Sequence, residues 1–142
     1  MKRLLTLALL LFPASLLAQQ IAPPRYFLEI NNQPEISYSR GIFGGVDQDK
    51  HDYLGSADAV RETMVKRHHI PLSWFTEKRE KADYILRINS EGANCRWTVL
   101  YNDRAKGEEV VVESKKVIYC QSAIKDVLNV PLDDWARRHV LK

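Results

Sequence analysis

The residues of this chain that could do chemistry are four histidines, two cysteines and a short run of aspartates. His68 and His69 are adjacent, inside MVKRHHIPLSW, and paired histidines invite a metal or acid–base reading. Helical ligand pairs, however, sit at i and i+4 so that both rings face one ion, and neighbouring helical residues point about 100° apart. Asp47, Asp49, His51 and Asp52 fall within VDQDKHD, which resembles a cation loop but lacks the glycine and distal glutamate of the EF-hand. GIFGG has neither the spacing nor the lysine of a phosphate-binding loop. No Gly-x-Ser-x-Gly or His-Glu-x-x-His run occurs. The sequence therefore predicts no catalytic residue, no metal ligand set and no cofactor.

The elements around these residues explain most of them. Ser56 is placed to cap a helix over 57–68, with Ala57, Val60, Met64 and His68 on one stripe. Lys66 to His69 fall at the helix end, where positive charge suits the macrodipole, and Pro71 forbids continuation. His68 reads as a histidine at the edge of a core, and His69 as solvated or bonded to a terminal carbonyl.

The chain opens MKRLLTLALLLFPASLLAQQ. Lys2 and Arg3 precede an apolar run from Leu4 to Leu17, too short for a membrane span of ~20 residues. This layout predicts a signal peptide over residues 1–18 and one domain over 19–142. Its destination is secreted or periplasmic and bacterial, without a lipid anchor, since no cysteine follows the apolar run. Of 21 Lys and Arg, two lie in the leader, leaving 19 against 18 acids. No basic stripe remains to bind nucleic acid, and no later segment is apolar enough to span a bilayer. In an oxidising compartment, Cys95 and Cys120 are expected to form a disulfide worth about 3–4 kcal/mol.

The rest of the chain reads as strands and turns. Tyr26–Ile30 is a strand with Tyr26, Leu28 and Ile30 on one face; NNQP is a turn; 35–39 is a short strand. Residues 40–55 hold four glycines and three aspartates without a period and are expected to be a loop, anchored by Ile42, Phe43 and Tyr53. Strands follow at 84–89, 95–102 and 109–120. If 95–102 and 109–120 pair about Ala105–Lys106, Cys95 lies opposite residue 116, and only another register or a bulge brings it to Cys120. Ser122 is placed to cap a helix over 123–129, which Pro131 interrupts. A second short helix then buries Leu132, Trp135, Ala136 and Val140. The order β-α-β-β-β-α predicts an α+β domain: an antiparallel meander with helices packed on one face.

The run EKADYILRINSEGANCRWTVLYNDRAKGEEVVVESKK, followed by SAIKDVL, resembles the amino-terminal domains of TolB-like envelope proteins over about residues 58–128. The resemblance implies an α+β domain that works by contact with other envelope proteins, without catalysis. The 40–55 glycine loop, the cysteine pair and the lack of a following propeller or lipid anchor set this chain apart. The expected function is thus a non-enzymatic, exported binding domain whose partner is another envelope or secreted protein. Candidate partner-binding residues are Tyr38, Phe43, Tyr53, Trp74 and Phe75, because exposed aromatics anchor interfaces. The alternatives are a small metal-dependent hydrolase using His68, His69 or the 47–52 loop, and an inhibitor of an extracellular enzyme.

Overall fold

A computed structural model of the chain describes residues 21–33 and 35–140. The export segment expected at residues 1–18 lies outside them. The described residues form seven strands and two α-helices in the order β1 (Tyr26–Asn31), β2 (Glu35–Arg40), β3 (Val46–His51), α1 (Ala57–His68), β4 (Tyr84–Glu91), β5 (Asn94–Asp103), β6 (Gly107–Glu113), β7 (Ile118–Tyr119) and α2 (Cys120–His139). Short 3-10 turns at Leu72–Trp74 and Arg79–Lys81 link α1 to β4.

The main sheet runs β1-β4-β5-β6, with β7 pairing the start of β5. The meander β4–β5–β6 is antiparallel, as the hairpin turns require. β1 adds to it in parallel, so the segment between β1 and β4 is a crossover containing α1. Alternation along the strands builds cross-sheet rows from the register: Tyr26–Tyr84–Tyr101, Leu28–Leu86–Val99 and Ile30–Ile88–Trp97. Val60 and Met64 of α1 and Ala123, Ile124, Val127 and Leu128 of α2 close over these rows to form the core. The chain is an α+β domain with its helices on one sheet face.

The opposite face is held differently. Ile85 and Leu100 are buried there, and Arg79 lies across it. Its Nε and Nη2 each donate to Glu108 at 2.9 Å, its Nη1 donates to Glu29, and it approaches the Phe27 ring at 6.0 Å. Glu29 and Glu108 sit on strands at opposite edges of the sheet, so one guanidinium spans it. Partial burial works to raise the Glu29 carboxyl pKa, but hydrogen bonds from Arg79 and Arg87 outweigh it and hold it below the ordinary carboxylate range. The Arg79 fork lowers Glu108 in the same way. A carboxyl depressed on folding contributes stability above its unfolded pKa and loses it as the pH falls through the folded value. Stability is therefore expected to drop between about pH 5 and pH 3, and Glu29→Gln to flatten that drop while lowering stability at neutral pH. Urea melts across that range check this; an unchanged pH profile in Glu29→Gln would remove the carboxylate from the account.

Three local expectations are corrected. Residues 40–55 are not a loop throughout: Val46–His51 pairs antiparallel with Glu35–Arg40 as a separate two-stranded ribbon. Its polar composition gave no apolar alternation to betray the second strand. The strand expected to run to Cys120 ends at Glu113, because Ser114 to Lys116 offer nothing apolar for the buried side. Ser114 instead ties back to Trp97, donating its N–H to the Trp97 carbonyl at 2.8 Å and accepting from Trp97 N–H at 2.9 Å. Cys120 then opens α2 rather than closing a strand.

The two short carboxy-terminal helices are one. Pro131 sits inside α2 and is fully buried. An interior proline costs about 3 kcal/mol, but the stripe Ala123, Ile124, Val127, Leu128, Pro131 and Asp134 continues inward without a phase break. The continued phase leaves Leu132 and Val140 exposed, where a restarted helix would have buried them. Asp134 is accordingly not a helix-end charge. It is buried, accepts from the Tyr84 hydroxyl at 2.7 Å and from Arg138 Nε at 2.6 Å.

Candidate functional site

The histidines are placed as ends and edges. Ser56 accepts from Ala59 N–H at 3.2 Å and starts α1. His68 lies half-buried in its last turn, below the buried Val60 and Met64. His69 is the C-cap at φ 57°, its backbone N–H on the Met64 carbonyl and its ring exposed. His139 packs against Trp135, with centroids 3.7 Å apart. In the acidic segment His51 lies 3.2 Å from Asp49. Asp52 turns the other way, accepting from Gly55 N–H at 2.7 Å and from the Asn32 amide, contacts that hold its carboxyl below the ordinary range. Among the described residues no group of three or more His, Cys, Asp or Glu side chains is arranged to hold a metal ion.

Cys95 and Cys120 are bonded, with Cα atoms 4.8 Å apart. A register shift between Val99 and Leu100 and the break after Glu113 together place Cys95 opposite Ile118, two residues from its partner. No described helix is long and apolar enough to cross a membrane.

The β2–β3 ribbon carries the most exposed large apolar side chains among the described residues. At its tip Gly41 N–H donates to the Gly45 carbonyl at 2.7 Å and Gly44 N–H to the Gly41 carbonyl at 3.0 Å. Gly44 has φ 81°, a conformation a side chain would strain. This turn thrusts Ile42 and Phe43 outward at 99% and 101% relative exposure, so the two anchor nothing within the domain. The ribbon register gives it two chemically distinct faces. Ile36, Tyr38 and Arg40 share one with Gln48 and Lys50, which is apolar and cationic. Glu35, Ser37 and Ser39 share the other with Asp49 and His51. Ile36 and Tyr38 are themselves exposed.

The candidate partner residues therefore separate. Tyr38 and Phe43 belong to the ribbon, and Tyr53 lies at its base, its ring centroid 6.0 Å from that of His51. Trp74 and Phe75 are elsewhere and half-buried, edge-on to Tyr26 at 6.1 and 5.9 Å. Phe75 also lines a cavity of about 290 Å³ with Phe27, Leu28, Ala57, Asp58, Arg61, Thr76 and Glu77. That cavity opens beside the edge of β1, where Thr76 N–H donates to the Tyr26 carbonyl at 2.9 Å. Composition alone did not reveal it, because its wall is assembled from three separate segments.

The fold and this surface define an α+β domain bearing a projecting, apolar-tipped ribbon. A scan against protein-family models and searches of curated proteins and solved structures found no match to the chain.

Proposed function

We propose that this chain is an exported, non-enzymatic binding domain that engages another protein through the tip of its β2–β3 ribbon. The exposure of Ile42 and Phe43 carries the reading. Scattered apolar residues are normal on a protein surface. Two adjacent large ones, held clear of the body by a glycine turn, are not required by the fold. Tyr38 and Arg40 on the same side of the ribbon add the residue types that dominate interface hot spots. The disulfide supports an oxidising destination, secreted or periplasmic. The resemblance of the sequence to TolB-like amino-terminal domains implies the same mode of action, contact with envelope proteins.

Ile42→Asp/Phe43→Asp is expected to leave the melting temperature within about 2 °C of wild type, because neither side chain is buried. The same change is expected to abolish the adduct formed in cells by a photo-crosslinker placed at Tyr38. A wild-type chain that forms no protein adduct from Tyr38 or Phe43 would sink the proposal.

A further inference from the structure

The ribbon tip is an exposed apolar projection, and the cavity beside β1 is a recess with a partly aromatic lining. The two are complementary in charge. The ribbon face that leads to the tip carries Arg40 and Lys50, and Arg40 makes no ion pair with any described side chain. The recess has an aromatic and aliphatic floor of Phe27, Leu28 and Phe75, with Asp58 and Glu77 at its rim. Arg61 neutralises Asp58, whereas exposed Glu77 has no ion-pair partner among the described residues. Base and apolar tip thus meet acid and apolar floor.

We infer that the partner of the ribbon tip is a second copy of this chain: Phe43 of one copy enters the Phe27–Phe75 recess of the other, with Arg40 against Glu77. This inference rests on the reading of the tip as a contact surface. A two-fold axis makes the insertion reciprocal, each copy giving a tip and receiving one, so that two small contacts act together in a closed dimer. Each contact is smaller than a standard interface, which sets the affinity in the micromolar range or weaker. An anionic lipid surface fits the same ribbon less well. Two cations supply only about 1 kcal/mol each there, and the opposite ribbon face is acidic.

Sedimentation velocity of the purified chain, from about 1 to about 500 µM, tests the inference. Wild type is expected to pass from monomer to dimer. Phe43→Asp is expected to weaken association at least about tenfold. Arg40→Glu and Glu77→Arg are each expected to weaken it about threefold or more, and the Arg40→Glu/Glu77→Arg double variant to recover most of the loss. All three substituted positions are exposed, and circular dichroism confirms that the variants fold. A wild type that stays monomeric throughout overturns the inference, as does a dimer indifferent to Phe43→Asp or a charge swap that restores nothing. Tip-dependent binding to phosphatidylglycerol–phosphatidylethanolamine vesicles by a monomeric chain overturns it in favour of a membrane. A Phe43 adduct to a different protein, from a monomeric chain, overturns the self-association and leaves the binding-domain reading standing.

Discussion

Reducing the Cys95–Cys120 bond is expected to lower the melting temperature by roughly 10–15 °C. The bond closes a segment with a sequence separation of 25. Loop-closure entropy for such a segment is about 3.5 kcal/mol, and a domain of this size shifts by about 4 °C for each kcal/mol. The site adds to the effect. The bridge pins β5 to the first turn of α2, after a stretch in which Ser114 to Val117 contribute no buried side chain. Both sulfurs are themselves buried, Cys95 completely. The measurement is a thermal melt of oxidised and reduced protein, with Cys95→Ala/Cys120→Ala as the irreversible control. A shift below about 3 °C would show that core packing alone holds the amino-terminal end of α2.

The second large effect is expected at Tyr84. Its ring is fully buried and has aromatic neighbours on every side: Tyr26 at 6.5 Å, Tyr101 at 5.3 Å and Trp135 at 6.2 Å between centroids. Its hydroxyl donates to Asp134, which also accepts from Arg138, whose guanidinium stacks 4.0 Å over the Tyr101 ring. Burial, followed by the hydrogen bond to Asp134, pushes the Tyr84 hydroxyl far above its ordinary pKa, so it stays a donor at neutral pH. Tyr84→Ala is expected to cost about 3–5 kcal/mol, the range for losing a large buried ring. Tyr84→Phe keeps the ring and removes only the donor, at a cost of about 1–2 kcal/mol. Urea titration of both variants separates packing from hydrogen bonding. Equal losses in the two would mean that the hydroxyl, not the ring, is what the core requires.

These two sites show what was legible in the sequence. The Tyr84 strand was readable because its β-forming Tyr-Ile-Leu opening is followed by apolar–polar alternation, with one face buried against the helices. Ser56, the 57–68 helix and its positive end were readable because capping and dipole chemistry are local in sequence. The cysteine pair was readable from its number and expected compartment, although its geometry depended on a bulge that no composition signals. The ribbon was half-legible: Glu35–Arg40 contains β-formers, while Val46–His51 is almost entirely polar and pairs only because a glycine turn folds it back. Pro131 misled, since a local rule against interior proline lost to a long continuous buried stripe. Of the candidate contact residues, Tyr38 and Phe43 are legible only as aromatics between residues 38 and 55, a type that anchors interfaces when exposed. Nothing local could show that Phe43 would project while Phe75 would help to line a recess.

The way the ribbon leaves the body has an evolutionary consequence. Asn32 donates to Asp52, and Gln33 N–H donates to the Ser90 hydroxyl at 2.6 Å, so the two ends of the insertion are clamped side by side at the top of the sheet. Everything between them can be exchanged for a shorter or longer hairpin without altering the distance that the crossover to α1 must bridge. On the proposed binding reading, selection on recognition and selection on folding act on separate stretches of the chain. Descendants of this chain should keep the Asn32–Asp52 clamp and the tyrosine-lined core while residues 35–51 diverge fastest.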